Sequence, residues 1–140
     1  MTKKLQNIVL VDDNETTSFL NNRLLNRLAI ADQVRTFTRA EEAFEFLWGN
    51  GRQPSEESDH LPELVFVDLK MPGMDGFEFL KHYDSLPPEV KSKTVMAVLT
   101  TSMHAADTAR VSQFKDVEYL TKPLTEEKMQ KLLAKRFSVS

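Results

Sequence analysis

The chain has 140 residues, no cysteine and a formal net charge of -3 at pH 7. This length suits one domain, and the lack of cysteine excludes disulfides, thiolate metal sites and cysteine nucleophiles. The Lys and Arg residues are scattered along the sequence and form no basic patch for direct binding of nucleic acid. No apolar run approaches the roughly 18 residues of a membrane span. With no signal-peptide pattern at the N-terminus either, we expect a cytoplasmic protein without a membrane partner.

Short apolar runs alternate along the chain with segments of helical period. The strand candidates are residues 7–11, 33–37, 64–67, 95–99 and 117–120. The runs IVLV, LVFV and VMAVL are nearly continuous, which is typical of central parallel strands covered on both faces. The runs QVRTF and VEYL alternate between apolar and polar residues, which is typical of edge strands.

Five helices are predicted from apolar residues spaced three or four positions apart. Their stripes are, in chain order, Leu20, Leu24 and Leu28; Ala40, Ala43, Phe44 and Leu47; Phe77, Leu80 and Tyr83; Ala106, Ala109 and Phe114; and Met129, Leu132, Leu133 and Phe137. Pro87 and Pro88 are predicted to stop the third helix. The alternation predicts a doubly wound α/β fold, with helices on both faces of a five-stranded parallel sheet.

One connection is unusually long for a compact domain. Residues 49–63 are rich in Gly, Pro, Ser and Glu and are predicted to form an irregular surface loop. A tolerated insertion and a binding loop are both open interpretations of this segment.

Polar residues stand at the carboxyl ends of four predicted strands. They are Asp12 and Asp13 after the first strand, Asp68 after the third, Thr100 and Thr101 after the fourth, and Lys122 after the fifth. Ligands of open parallel sheets bind beyond these strand ends, near the point where the strand order reverses. We therefore expect these side chains to converge at one edge of the sheet.

The chemistry of this cluster predicts a divalent cation. Two carboxylates about 4 Å apart repel by about 4 kcal/mol at an effective dielectric constant of about 20, so three need a counter-ion. Oxygen-only ligands favour Mg²⁺, and Mn²⁺ accepts the same ligands. Such an ion keeps coordination positions open for a phosphoryl oxygen, which Lys122 and a threonine hydroxyl would also contact. The cluster thus has the parts needed for phosphoryl transfer.

These residues resemble the signature set of the receiver domain of two-component response regulators. The resemblance rests on Asp12-Asp13, Asp68 followed by LKMPGMDG, Thr100, and KP at Lys122. It covers about residues 7–137, so residues 1–140 are expected to form a single receiver domain that stands alone. The fold it implies is flavodoxin-like, with strand order 2-1-3-4-5.

The resemblance also implies the roles of the acidic residues. Asp68 would accept a phosphoryl group from the phosphohistidine of a sensor histidine kinase or a histidine phosphotransfer protein. Asp13, Asp68 and the carbonyl of Lys70 would bind Mg²⁺ directly, and Asp12 would bind it through water.

The remaining site residues would sense the phosphoryl group. Thr100, Lys122 and Thr101 would contact it, and Thr100 and Tyr119 would form the switch. The output surface implied by the family is the fourth helix, fifth strand and fifth helix, for a downstream protein or a homodimer. The LTTS stretch and long loop resemble receivers that partner phytochrome-type kinases.

Two residues depart from the usual family pattern. Lys70 places a cation at the pocket mouth, where it would attract phosphodonors or hinder an attacking water. Thr101 is bulkier than the Ala or Gly often found there and narrows access to the phosphoryl group. Both departures leave the lifetime of the phosphorylated form open.

Two alternative functions compete with this interpretation. A haloacid-dehalogenase-like small phosphatase or phosphotransferase also uses an aspartyl phosphate, but it places a second acid two residues after the nucleophile, where this chain has Lys70. A binding module that only keeps the fold would normally have an incomplete acidic pocket. We therefore expect a signalling protein that catalyses only its own phosphorylation and slow dephosphorylation, and not an enzyme with a substrate.

Overall fold

A computed structural model describes residues 5–48, 62–71, 73, 75–101, 105–114 and 116–137. The strands are β1 (Leu5–Val11), β2 (Ala31–Phe37), β3 (Leu64–Val67), β4 (Val95–Thr100) and β5 (Val117–Thr121). They form one parallel sheet in the order β2-β1-β3-β4-β5. The predicted fold class and strand order are therefore confirmed. Most of the predicted long loop, residues 49–61, lies outside the described residues.

The strand bounds differ from the predicted ones by one or two residues. β1 and β2 begin two residues early because Leu5 pairs with Ala31 and is fully buried. Polar residues separate these two positions from the apolar runs, so their strand character was not visible in the sequence. β4 and β5 end one residue late, at the paired Thr100 and Thr121.

The described residues contain six helices, one more than predicted. They are α1 (Glu15–Leu28), α2 (Ala40–Trp48), α3 (Gly76–Asp84), α4 (Pro88–Lys91), α5 (Ala105–Val111) and α6 (Glu126–Arg136). The additional helix is α4, which begins at Pro88 because proline is favoured in a first helical turn. None of the six is long and apolar enough to cross a membrane.

The sheet buries a different set of side chains on each face. Ile8, Leu10, Leu64 and Phe66 form one core cluster with residues of α1 and α6, including Leu25, Met129 and Leu133. Val9, Val11, Val65 and Val67 form the other with residues of α2, α3 and α5, including Leu47, Phe79 and Val111. Alternate residues of the central strands thus face opposite helical layers, as strand geometry requires. The site lies at the carboxyl edge of this rigid sandwich.

The predicted stripes of α2, α3 and α6 are largely buried, whereas those of α1 and α5 are only partly buried. Leu24 and Leu28 pack at the edge of one core cluster, and Phe114 packs at the edge of the other. In α1 the buried residues are Ser18, Asn21 and Leu25, and Leu20 is exposed. In α5 the buried residues are Asp107 and Val111, and both predicted alanines are exposed. Polar side chains face inward in both helices, so apolar spacing alone misplaced the centre of each buried face.

Candidate functional site

The ends of β1 and β3 place two aspartates side by side. Val11 pairs with Val67 in the ladder, and the N–H of Asp68 donates to the carbonyl of Val11 at 2.9 Å. Asp12 and Asp68 are the next residues along the two strands. Both residues are buried at the edge of the sheet.

Three carboxylates meet at this edge, and we call Asp12, Asp13 and Asp68 the carboxylate cluster. One oxygen from each residue lies within 4.8 Å of the other two. Asp13 is exposed, whereas the other two members are buried. The predicted convergence of these side chains is therefore observed. Their separate roles stay predictions.

Lys122 enters the cluster from the loop after β5. Its Nζ atom donates to Oδ2 of Asp12 at 2.7 Å and to Oδ2 of Asp68 at 3.2 Å. Its N–H donates to the carbonyl of Thr100 at 2.7 Å, which ties the loop to β4. The peptide bond between Lys122 and Pro123 is cis. Burial alone lowers the pKa of Lys122, but the hydrogen bond to Asp12 and the charges of both carboxylates outweigh it and raise the pKa above its ordinary value.

The pKa of Asp68 is raised above its ordinary value of 3.8. Burial is the largest cause; the Lys122 charge opposes the rise, and the Asp12 charge adds to it. The backbone N–H of Lys70, which donates to Oδ1 of Asp68 at 3.3 Å, also lowers the pKa. A carboxylate whose charged form is disfavoured in this way is stabilised by an added cation.

Asn14 fixes the loop that carries Asp12. Its N–H donates to Oδ1 of Asp12 at 2.9 Å, and its own Oδ1 accepts from the N–H of Thr17 at 2.9 Å. The second contact caps α1, because it satisfies an N–H of the first helical turn. The same residue therefore begins the helix and orients a member of the carboxylate cluster.

Gly76 allows α3 to begin directly against the backbone of Asp68. A Cβ atom at position 76 would lie 2.4 Å from the carbonyl oxygen of Asp68 and 2.6 Å from Cα of Leu69. No larger residue fits there without moving the backbone that carries Asp68. Asp75 caps α3 by accepting from the N–H of Glu78 at 3.0 Å. Gly76 is therefore required by the close packing of α3 against the backbone of Asp68 and Leu69.

The hydroxyl of Thr100 is buried at the end of β4. Thr100 has no exposed surface, and its Oγ1 has no hydrogen-bond partner among the described residues. An unpaired buried hydroxyl costs about 1–3 kcal/mol, so this position is unfavourable unless another group binds there. An incoming oxygen-rich group such as a phosphoryl would accept the bond that Thr100 can donate.

The other predicted site residues surround the cluster. The Lys70 side chain is largely exposed, and its Nζ lies 3.7 Å from Oδ2 of Asp107 on α5. Thr101 is exposed and borders, with Lys122, a groove of about 400 Å³. Tyr119 is half-buried in β5 and packs against the core cluster beneath α2, α3 and α5. The roles predicted for these residues stay predictions.

Asn21 and Asp107 are inward-facing polar residues near the site that were not predicted. Asn21 is 7% exposed and lines both the groove beside Lys122 and a cavity of about 10 Å³ beneath the carboxylate cluster. Asp107 is buried on α5. Leu25, four positions after Asn21, and Val111, four positions after Asp107, are buried too. That i, i+4 relationship was the available signal, because it places both polar residues on the inward face.

The carboxylate cluster fits a hard divalent cation. All its donor atoms are carboxylate oxygens, which Mg²⁺ and Mn²⁺ accept as ligands. The buried Thr100 hydroxyl, which has no partner among the described residues, is available to donate to an oxygen-rich group at this edge of the sheet. The donor set therefore suits a metal ion together with a phosphoryl group.

Comparison with known proteins identifies the family. Residues 8–134 match the family model of the response regulator receiver domain. The chain therefore belongs to this family and is a receiver domain of the kind found in two-component response regulators. Receiver domains bind Mg²⁺ at an acidic pocket and interact with histidine kinases.

Individual relatives agree with this assignment. The chain is 30% identical over 127 residues to the probable methanogenesis regulatory protein FilR2 of Methanothrix harundinacea, covering 89% of this chain and 76% of that protein. It covers only 29% and 52% of two further relatives, in which the matching region is one part of a longer protein.

Solved structures of similar proteins share the whole fold. A response regulator receiver protein from Dyadobacter fermentans is 26% identical, with a TM-score of 0.79 and coverage of 94% of this chain and 98% of that one. The bacteriophytochrome response regulator AtBRR is 25% identical, with a TM-score of 0.76 and coverage of 98% and 95%.

Proposed function

We propose that Asp68 is the phosphoacceptor of this receiver domain. The donor is the phosphohistidine of a sensor histidine kinase or of a histidine phosphotransfer protein. The observation that carries the proposal is the position of Asp68, which directly follows the central strand β3 and lies within reach of Lys122 and beside two further carboxylates. Residues 1–140 act in this proposal as a single receiver domain with its core at residues 7–137.

The transfer needs one nucleophile and no redox partner. A carboxylate oxygen of Asp68 forms a bond to phosphorus while the bond from phosphorus to the donor's imidazole nitrogen breaks. The electron pair of that bond stays on the imidazole, which leaves as a neutral base or takes a proton from solvent. The product is an acyl phosphate on Asp68.

Positive charge near Asp68 makes this step favourable. Lys122 already contacts the acceptor at 3.2 Å and neutralises charge that develops on the phosphoryl oxygens. Asp13, Asp68 and the carbonyl of Lys70 would hold Mg²⁺ directly, and Asp12 would hold it through water. When bound, the ion supplies the charge that lets a phosphoryl group approach carboxylates.

The phosphoryl group is sensed at the end of β4. The Thr100 hydroxyl, which is buried without a partner among the described residues, donates to a phosphoryl oxygen. Thr101 borders the same position and limits access of water. Movement of Thr100 toward the phosphoryl group, with inward rotation of Tyr119, biases a pre-existing equilibrium between two conformations.

The donor protein docks over the groove beside Lys122. Phe19 and Leu20 are the exposed large hydrophobic residues of α1, at 64% and 55% exposure. Leu20 lines this groove together with Lys122. An apolar patch next to a reactive site suits a protein partner that must bring its histidine close to Asp68.

The signal leaves through the face formed by α5, β5 and α6, the output surface predicted above. The occupant is a downstream protein, or a second copy in a homodimer. The similarity to AtBRR supports a phytochrome-type kinase as the donor. Since a kinase of this class presents its phosphohistidine in the cytoplasm, the proposal includes a cytoplasmic location.

The haloacid-dehalogenase-like alternative is not favoured. The position of its second catalytic acid is occupied by Lys70, whose ammonium group pairs with Asp107 on α5. Without an acid there, nothing at that position would activate water for repeated turnover. We propose that the chain catalyses only its own phosphorylation and slow dephosphorylation.

The test is incubation with phosphoramidate and Mg²⁺ followed by intact mass. One added phosphoryl group is expected. It should be absent when a chelator removes Mg²⁺ before the incubation, and absent from Asp68→Asn. Asp84→Asn is the matched control, because Asp84 is an aspartate at the opposite end of the sheet and pairs with Lys91 at 2.7 Å. Equal labelling of Asp68→Asn, or continuous release of phosphate from a phosphate ester, would overturn the proposal.

A further inference from the structure

An ion pair links the loop after Asp68 to helix α5. The backbone N–H of Lys70 donates to Oδ1 of Asp68, which fixes the loop against the acceptor. The side chain of Lys70 then extends to α5, where its Nζ lies 3.7 Å from Oδ2 of Asp107. The same residue thus touches the acceptor with its backbone and α5 with its ammonium group.

Asp107 is buried and needs a cation. Its side chain is 12% exposed, whereas that of Lys70 is 65% exposed. A buried carboxylate is costly unless it is paired. Arg110 follows three positions later on α5, but its guanidinium lies 3.6 Å from the ring centroid of Phe77 and stacks there. In the part of the chain that the structure describes, Lys70 is the cation that pairs with Asp107.

The ion pair between Lys70 and Asp107 is weak, so it favours one position of the lysine side chain but does not fix it there. At 3.7 Å the contact is an ion pair and not a short hydrogen bond, and its cation is mostly in water. Lys122, by contrast, lies inside the carboxylate cluster at 2.7 Å from Asp12. The two lysines near the acceptor are held in different places by different carboxylates.

We infer that Asp107 is a positioning residue that holds the Lys70 ammonium at the α5 side of the acceptor pocket and thereby sets the lifetime of the phosphorylated form. The inference rests on the proposed phosphorylation of Asp68. A phosphoryl group there carries about two negative charges at neutral pH and competes with Asp107 for Lys70. Lys70 therefore divides its time between Asp107 and the phosphoryl group, and the share that Asp107 takes sets how long the phosphoryl oxygens stay accessible from that side.

Dephosphorylation is the step on which the position of Lys70 acts. A water oxygen attacks phosphorus, the bond from phosphorus to the Asp68 oxygen breaks, and phosphate leaves while the carboxylate is regenerated. The attacking water loses its proton to solvent or to the leaving phosphate. A released Lys70 pairs with the phosphoryl oxygens and stands in the path of that water, so release slows the reaction.

The test compares four proteins: the unmodified chain, Asp107→Asn, Lys70→Met and the double variant. Each is phosphorylated with phosphoramidate and Mg²⁺, desalted, and followed by intact mass as the label decays. Asp107→Asn is expected to lengthen the half-life at least about threefold, and Lys70→Met to shorten it by about the same factor. In the double variant the half-life should match that of Lys70→Met, because Asp107 acts only through Lys70.

Two controls separate positioning from a structural role. Asp107→Glu keeps the carboxylate and should restore a half-life close to that of the unmodified chain. Asp84→Asn removes an aspartate from the remote pair with Lys91 and should leave the half-life unchanged. An unaltered half-life in Asp107→Asn, or the same lengthening with and without Lys70, would overturn the inference. Failure of the proposed function would look different, because the unmodified chain would then take up no phosphoryl group.

Discussion

The Nζ atom of Lys122 lies 2.7 Å from Oδ2 of Asp12, across 110 residues of chain. The same atom lies 3.2 Å from Oδ2 of Asp68. An ammonium group between two buried carboxylates neutralises the charge that a divalent cation would also neutralise. Mg²⁺ bound at the carboxylate cluster would therefore compete with Lys122 for these oxygens.

Removal of Lys122 should tighten Mg²⁺ binding. In Lys122→Met both carboxylates lose their cation, so we expect the dissociation constant for Mg²⁺ to fall at least about threefold, which corresponds to about 0.7 kcal/mol. Isothermal titration calorimetry measures this constant. Lys91→Met, which removes a lysine from the far end of the sheet, should not change it. Weaker binding to Lys122→Met would show that the lysine supports the metal site instead of competing with it.

The raised pKa of Asp68 predicts how its replacement affects stability. Between the ordinary value of 3.8 and the raised value, the native state holds more protons than the unfolded state. The stability contribution of this group is therefore present below pH 3.8 and is lost as pH rises through the raised pKa. Asn carries no such charge. Without metal, Asp68→Asn should be more stable than the unmodified chain at neutral pH, by about 1 kcal/mol.

Urea unfolding in the presence of a chelator, repeated across pH, measures this difference. It should shrink toward zero as the pH falls below 3.8. Added Mg²⁺ should reverse the order of the two proteins, because the ion stabilises the intact carboxylate cluster more. A pH-independent difference would show that burial of the Asp68 charge is not its cause.

The buried hydroxyl of Thr100 predicts opposite effects on stability and on signalling. Thr100→Val keeps the shape but removes an unpaired polar group, so the free energy of unfolding should stay the same or rise by up to about 1 kcal/mol. The extra stability that phosphorylation confers should be lost, because Val cannot donate to the phosphoryl group. Thermal unfolding before and after phosphoramidate treatment measures both quantities. Thr100→Ser, which keeps the hydroxyl, should retain the response to phosphorylation.

Glu118 joins β5 to the last turn of α6. Its oxygens lie 3.0 Å from Nζ of Lys135 and 2.7 Å from Nη1 of Arg136. Burial raises the pKa of Glu118, but these hydrogen bonds and charges outweigh it and leave the pKa below its ordinary value of 4.5. The stabilisation is therefore present above pH 4.5 and is lost as pH falls through the lowered pKa.

Glu118→Gln should consequently destabilise the fold at neutral pH by about 1 kcal/mol, as expected for a carboxylate with two cationic partners. The difference should vanish in acid, and urea unfolding at several pH values follows it. The control is Glu127→Gln, because Glu127 and Lys131 form an i, i+4 pair in which both side chains are largely exposed. If both variants lose the same stability, the network around Glu118 has no special role.

The fold was predictable because its central strands are short, apolar and continuous. LVFV before Asp68 is an example: all four residues are buried, as a parallel strand between two helical layers requires. The convergence of Asp12, Asp68 and Lys122 followed from the topology alone, since each residue comes directly after a strand. The carboxyl ends of parallel strands lie at one edge of a sheet, so the predicted strands were enough to place these three side chains there.

Contacts between helices and loops were not predictable in this way. Asp107 faces inward although it is charged, so its pairing with Lys70 depends on where α5 packs. Asn21 is a buried polar residue of α1, so the spacing of apolar residues does not reveal that it faces inward. The short helix at Pro88 was missed because the proline was interpreted only as a stop signal. Each failure comes from tertiary packing that local spacing does not encode.

The most direct test of the central claim is to locate the phosphoryl group on the chain. Borohydride reduces an acyl phosphate to an alcohol, which marks the modified aspartate as homoserine and survives digestion and peptide mass analysis. After treatment with phosphoramidate and Mg²⁺, we predict homoserine at position 68, in the peptide that contains LVFVDLK. Homoserine at position 12 or 13, or phosphorylation without reduction at position 68, would contradict the account.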